Sequence, residues 1–304
     1  MTPELLVVGA GPAGVSAGLW ARALNLTAAL IEGGSRPGGQ LHHVHFHPRE
    51  LAGLDAGDGP ALAAVYERQL AAAGHALRYD AVAIALEPPR DGHTLPGVTL
   101  STGERLTAAA VLIATGARRR HLGVPGEREL EGRGVSYSAT LDRDRFAGGR
   151  VLVVGGGDGA FENALLLAEV GCEVTVAVRG TPRARPEFRQ RLAAEPHAAV
   201  LEHARVGAIL GEACVRAARL DVAGRERELE VEGVVVKIGG LPNSEWCRPA
   251  LAHDDEGFLR VDDRLATSAP RVWAAGDVTR PLLPSVPVAL GQGALAVAAN
   301  RAAL

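Results

Sequence analysis

Gly9, Gly11 and Gly14 stand in the run GAGPAG, and Glu32 follows the first of them by 23 positions. Glycines at this spacing let backbone N–H groups approach a diphosphate closely, and a carboxylate about 20 residues further on accepts hydrogen bonds from a ribose 2′-hydroxyl. The same carboxylate repels a 2′-phosphate, so this turn suits FAD or NAD and not NADP. A second turn, Gly155, Gly157 and Ala160 in GGGDGA, has no acid at the matching distance. Val178 and Arg179 stand there instead, with Arg183 close behind. A guanidinium fork matches the oxygens of a 2′-phosphate, which favours NADPH over NADH at this turn.

Turns of this kind work only between a strand and a helix. The apolar run Leu5–Val8 leads into GAGPAG, and the alanine-rich VSAGLWARAL follows it as a helix. AALIE makes the next strand and ends on Glu32. In the second copy, residues 151–154 form the entering strand and CEVTVAVRG the one after the helix. AAAVLIA runs into Ala114-Thr115-Gly116, and PRVWAAGDV reads as a buried strand and a Gly-Asp turn before a last helix that starts near Pro287. DAGDGP, residues 55–60, reads as a loop. This order resembles that of flavoproteins with two dinucleotide sites. The fold class it implies is α/β, with two Rossmann-like, three-layer ββα nucleotide-binding domains. The FAD domain is discontinuous, residues 1–117 and 244–304, and the NAD(P)H domain is inserted as residues 118–243.

The chain has 304 residues, 47% of them hydrophobic, which is enough to fill the cores of two ordinary domains. Its net charge of -3 is spread along the sequence and offers no stripe to nucleic acid or an anionic membrane. No apolar run reaches the roughly 18 residues needed to span a bilayer, and the N-terminus opens on a strand pattern, not a signal peptide. A cytoplasmic protein with no nucleic-acid or membrane partner is expected. Cys172, Cys214 and Cys247 form no CxxC pair, which fits a reducing compartment. HHVHFHP, starting at His42, would set His43, His45 and His47 on one face if extended. No cysteine or carboxylate stands ready to complete a zinc site, so no metal is expected there. A histidine near the flavin, or a solvated edge, is the simpler reading.

The sequence resembles the low-molecular-weight thioredoxin reductase family over essentially its whole length. The match runs through GAGPAG, Glu32, GGQL at 38–41, IATGA at 113–117, GVPGE at 123–127, GRGVSY at 132–137, VVGGGDGAFE at 153–162 and AAGDV at 274–278. The narrowest part is GGQL combined with GRGVSY ahead of the second glycine turn. The resemblance implies a homodimer formed through the FAD domain. It implies that Gly9, Gly11, Pro12, Ala13, Glu32, Gly39, Gln40, Leu41, Ala114, Thr115, Gly116, Gly276, Asp277 and Val286 surround FAD. It likewise assigns Gly156, Gly157, Asp158, Gly159, Arg179 and Arg183 to NAD(P)H, with NADPH first and NADH as the alternative.

Members of that family with disulfide activity carry CxxC where this chain has Ser138-Ala139-Thr140-Leu141, so Ser138 and Leu141 occupy the cysteine positions. A serine cannot form, break and reshuffle a disulfide, which leaves no catalytic residue beyond FAD and excludes thioredoxin reduction by that route. Asp142 matches the family's acid and is left to cap the following turn. Gly159 stands for the family's serine, Ala177-Val178-Arg179 for its basic cluster and Pro284-Ser285 for its Arg-Gln pair. The reading is an FAD-dependent NAD(P)H oxidoreductase that passes electrons directly from flavin to an external acceptor. Ferredoxin (flavodoxin) NADP reductases of thioredoxin-reductase type do this with a protein carrier; a quinone is the small-molecule counterpart. With Leu304 as the last residue, a histidine from 42–47 covers the flavin ring or the ring is open. The alternatives are a flavin-binding sensor or partner subunit without turnover, and a flavoprotein reduced by ferredoxin.

Overall fold

The structure is a computed structural model and describes residues 2–44, 51–52, 57–89, 91 and 94–302. The chain forms two compact units, Met1–Arg118 with Leu241–Leu304, and Arg119–Gly240. The first unit opens with β1 (Leu5–Val8), α1 (Pro12–Ala23), β2 (Ala28–Ile31), α2 (Gly59–Ala73) and β3 (Ala76–Arg78). The strands β4 (Ala83–Glu87), β5 (Gly97–Leu100) and β6 (Arg105–Thr107) follow, and β7 (Ala110–Ile113) leads to the crossing strand β8 (Ala117–Arg119). The second unit holds β9 (Val135–Ser136), α3 (Ala139–Phe146), β10 (Arg150–Val154), α4 (Asp158–Ala168), β11 (Glu173–Ala177), α5 (Pro186–Ala193) and β12 (Ala198–Leu201). Then come β13 (Ala204–Leu210), β14 (Ala217–Val222), β15 (Arg225–Glu230) and β16 (Gly233–Val236). The chain returns through β17 (Gly240–Pro242) to β18 (Val272–Ala274) and α6 (Val286–Arg301).

Each unit is built on a five-stranded parallel sheet, ordered β18-β7-β1-β2-β3 in the first and β12-β11-β10-β16-β9 in the second. Parallel strands covered on both faces read as continuous apolar runs, and LLVV of β1 and AVLI of β7 are buried throughout. Alternate residues then face opposite layers. Leu5, Val7 and Leu112 join the core formed with α1, α2 and α6, where Leu62, Tyr66 and Val297 pack. Leu6, Val8, Val111 and Ile113 turn to the other side, onto Leu86, Val98 and Leu100 of the antiparallel sheet β4-β5-β6. The second unit repeats the scheme. Val151, Val153 and Val235 pack with Phe161 and Leu165 of α4, whereas Leu152, Val154, Val234 and Val236 meet Ile209 and Leu220 of the sheet β13-β14-β15. Each fully buried side chain of this size contributes roughly 1.5–3 kcal/mol.

The units divide at 118/119 and 240/241, against the sequence expectation of 117/118 and 243/244. Side-chain chemistry at the return explains the larger difference. Asn243 donates its backbone N–H to Gly116 (3.0 Å) and its amide Nδ2 to the Thr115 carbonyl (2.8 Å), while the Thr115 hydroxyl donates to the Asn243 carbonyl (2.7 Å). Pro242 and Asn243 are thereby fixed to the first unit. The loop expected over residues 55–60 also ends early. Asp58 accepts the N–H of Ala61 (3.0 Å), and Gly59-Pro60 form the first turn of α2, as an Asp N-cap followed by proline permits.

Candidate functional site

In the first unit, four loops gather at the C-terminal ends of β18, β7, β1 and β2. The turn after β1 hands over to α1 at Gly11, which caps the helix without any side-chain hydrogen bond, so the first-turn N–H groups of α1 have no capping side chain. The three glycines have different surroundings. A Cβ on Gly9, whose φ is +104°, would meet the Ala114 carbonyl oxygen at 2.5 Å, and one on Gly14 would run into the Gly9 carbonyl. A Cβ on Gly11 would meet nothing within 4 Å. The second glycine therefore faces open space, as a backbone that a ligand approaches closely must.

Val8 pairs with Ile31 in parallel register, which sets Glu32 beside Gly9. Its carboxylate accepts the N–H of Ala10 at 2.7 Å and that of Gly34 at 2.8 Å, holding the turn in shape. Gly38 donates to the Ala10 carbonyl (2.8 Å), and residues Gly39–His43 form a 3-10 turn. A Cβ on Gly39 would lie 3.2 Å from the Gly11 Cα. Leu41 is buried, and Gln40 Nε2 donates to Asp277 at 3.1 Å. Burial raises the Asp277 carboxyl above the usual carboxylate range, an effect that the Gln40 bond opposes. Gly276 packs near Ala13 and donates its N–H to Gln292 Oε1 (2.7 Å) from α6. Ala114, Thr115 and Gly116 follow β7, and Val286 opens α6 with no side-chain cap from Ser285.

The histidine run departs from the extended expectation at its start, because His42 and His43 belong to the 3-10 turn. His42 Nε2 bonds the Pro37 carbonyl at 2.8 Å. His45 and His47 lie outside the described residues. Among the described residues no cluster of histidine, cysteine and carboxylate groups has metal-binding geometry.

The second unit carries the matching turn. Gly157 caps α4 without a side-chain bond, and a Cβ there would meet nothing within 4 Å. A Cβ on Gly155 would strike the Lys237 carbonyl, and one on Gly156 would reach Val178 Cγ1 at 2.7 Å. Gly156 offers its carbonyl to the N–H groups of Arg183 (2.6 Å) and Ala184 (2.9 Å). The Asp158 carboxylate accepts both the backbone N–H and Nε of Arg185, each at 2.7 Å, so four bonds clasp the 156–158 turn to the 183–185 segment. Arg183, within this clasp, and Arg179, just after β11, are both exposed and without a carboxylate partner among the described residues. Gly159 lies in the first turn of α4.

Ser138 precedes α3 as its N-cap, but its hydroxyl makes no capping bond. The Ala139 N–H is held instead by Asn163 Oδ1 of α4 at 2.7 Å. Leu141 is 53% exposed. Asp142 does not cap the turn that follows, as sequence suggested. It lies in the first turn of α3 and reaches back to accept the Ser136 hydroxyl at 2.6 Å, with Arg145 at 3.2 Å on its other oxygen. The N-terminal turn of a helix is where a carboxylate is favoured, which explains the reversal. All three cysteines are free. Cys172 and Cys247 are fully buried, and burial pushes the Cys247 thiol up to about 12, far from a reactive thiolate.

Sequence reasoning missed several residues that shape these sites. Gln292 and Asn243 carried no motif. Glu127 was visible only as the end of GVPGE; it is 1% exposed and accepts the N–H groups of Leu122 (2.9 Å) and Gly123 (2.7 Å) and the Tyr137 hydroxyl (3.1 Å).

Two uncapped helix N-termini, each behind a strand and an open glycine, define a protein with two dinucleotide sites on one chain. The chain belongs to the pyridine nucleotide-disulphide oxidoreductase family, whose model matches residues 3–293. It is 34% identical to the thioredoxin reductase of Treponema pallidum over 96% of this chain and 94% of that one. It is also 32% identical to the NADH dehydrogenase of Bacillus subtilis, over 96% of this chain but 57% of the relative, so it spans little more than half the length of such relatives. The crystal structure of Lactococcus lactis thioredoxin reductase in its FR conformation superposes with a TM-score of 0.82 at 27% identity, covering 99% of this chain and 98% of that one. The architecture is thus the two-domain, Rossmann-like thioredoxin reductase fold, and the family's cofactors are FAD and NAD(P)H. The open Gly11 and Gly157 fit both groups. Among the described residues no helix is long and apolar enough to cross a membrane.

Proposed function

We propose that the chain oxidises NAD(P)H through FAD and passes the electrons directly from the flavin to an external acceptor, without a dithiol relay. The observation that carries this reading is the sulfur-free segment 134–142, GVSYSATLD, which stands just before the second glycine turn and where related disulfide reductases keep CxxC. Bound FAD accepts electrons in pairs and releases them singly or in pairs, which suits a ferredoxin- or flavodoxin-like carrier or a quinone. Gly9, Gly11, Pro12 and Ala13 then cradle its diphosphate, Glu32 orients the ribose, and Gly39, Gln40, Leu41, Ala114, Thr115, Gly116, Gly276 and Asp277 line the rest. The N-terminal turn of α6 from Val286 points its positive end at the flavin. Gly156, Gly157, Asp158 and Gly159 receive the nicotinamide dinucleotide, the Asp158 carboxylate serving through its clasp to Arg185. Arg179 and Arg183, both exposed and free of carboxylates among the described residues, favour NADPH over NADH. A homodimer completes the reading.

The test is an anaerobic titration of the purified flavoprotein with NADPH and, separately, NADH, followed by flavin absorbance. Stoichiometric bleaching by NADPH, with reoxidation by a ferredoxin, flavodoxin or quinone but not by thioredoxin, is the expected result. Bleaching by dithionite alone would overturn it and leave a protein reduced by ferredoxin or one that does not turn over.

A further inference from the structure

Of the 32 lysine and arginine residues only one is a lysine, Lys237, and its place is unusual. It is the first residue beyond β16, where its N–H donates to the Val154 carbonyl (2.8 Å) and its own carbonyl backs Gly155. The side chain runs under the second glycine turn. Its Cε is 3.5 Å from the position a Cβ on Gly159 would take, and its Nζ is 3.4 Å from the Tyr137 carbonyl, a long contact. No carboxylate lies within ion-pair distance of it among the described residues. Burial and the nearby Arg119 guanidinium hold the ammonium below the usual lysine range, and only Glu162 acts the other way. A cation beside another cation and the positive end of α4 is a poor arrangement for the protein alone, and an anion at the turn reverses it.

The strand order says which part of the dinucleotide lies there. The diphosphate crosses the end of β10, and the ribose-reading position after β11 fixes the adenosine half on that side. The nicotinamide half must run the other way, over β16, the strand that Lys237 follows. We propose that Lys237 binds the nicotinamide-side phosphate of NAD(P)H, adding a cation to the backbone N–H groups of the second glycine turn. This rests on NAD(P)H binding at that turn and assigns the lysine a partner that no motif gave it.

The experiment uses the FAD-loaded protein and measures dissociation constants for ADP-ribose, which carries both phosphates, and AMP, which carries only the adenosine-side one. Wild type, Lys237→Met and Lys237→Arg are compared. Losing a charge-assisted contact should weaken ADP-ribose about tenfold in Lys237→Met. AMP should hold within about twofold, and Lys237→Arg should recover most of the ADP-ribose affinity. The salt dependence of ADP-ribose binding should also flatten in Lys237→Met. Unchanged ADP-ribose affinity in Lys237→Met would overturn the proposal, as would an equal loss of both ligands, which marks a structural lysine. If wild type binds neither ligand, it is nucleotide binding at this turn that has failed.

Discussion

At the scale of single residues, the glycines of the two turns separate folding from binding. Gly11 and Gly157 have ordinary negative φ and open space where a Cβ would go, whereas Gly14 has a backbone carbonyl in the way. Gly11→Val should leave stability within about 1 kcal/mol of wild type but give protein that purifies without flavin. Gly157→Val should keep the flavin and lose NAD(P)H binding, while Gly14→Ala should lower stability by about 1–3 kcal/mol. Denaturant melts and the flavin absorbance of each variant read these outcomes. Asp277 behaves in the opposite sense. Its folded carboxyl titrates above the unfolded one because it is buried, so its share of stability is present in acid and is lost as pH rises through the folded value. Asp277→Asn should therefore raise the melting temperature of flavin-free protein near neutral pH, the gap closing toward acid, and at the same time weaken flavin retention. The glycines and Glu32 were legible because their chemistry is local. Gln40 with Asp277, and Thr115 with Asn243, were not legible as pairs, since their partners stand 237 and 128 positions away.

At the scale of elements, the clasp between the turn before α4 and the start of α5 matters most. It consumes Arg185 and leaves Arg179 and Arg183 exposed. Either Arg179→Ala or Arg183→Ala should raise the dissociation constant for NADPH about tenfold with little effect on NADH, measured by quenching of the nucleotide's fluorescence. Spending one guanidinium on an ion pair decides which of the three can read a phosphate, and nothing in VRGTPRAR, residues 178–185, distinguishes them. The parallel strands were plain in sequence, because apolar runs such as LLVV and VLVV have no polar face. The antiparallel sheet of the second unit was harder to see. RERELE of β15 is almost wholly exposed and charged, and only its pairing with β14 makes it a strand. The same limit applied to Asp142. Its residue type suits a cap at either end of a turn, and the choice followed from where α3 begins.

At the scale of the whole molecule, the second unit has its own sheet and two cores drawn entirely from residues 119–240. Residues 119–240 expressed alone should fold cooperatively and bind NAD(P)H without taking up FAD, as calorimetry and nucleotide titration would show. An unfolded product would mean that the first unit is needed to hold it. The order of the first sheet carries a further consequence, for biosynthesis. Its edge strand β18 pairs with β7, and α6 packs on α1, yet both are made only after the entire second unit. On the ribosome, domains fold as units in the order they emerge. The nascent first unit must therefore wait with the edge of β7 open and one flank of α1 bare while residues 119–240 fold ahead of it. An unpaired strand edge of this kind invites association with other chains. The proposed flavin site would share the delay, because Asp277 and the N-terminus of α6 are made after the second unit, so cofactor uptake there would follow synthesis of that unit and could not guide the early folding of the first.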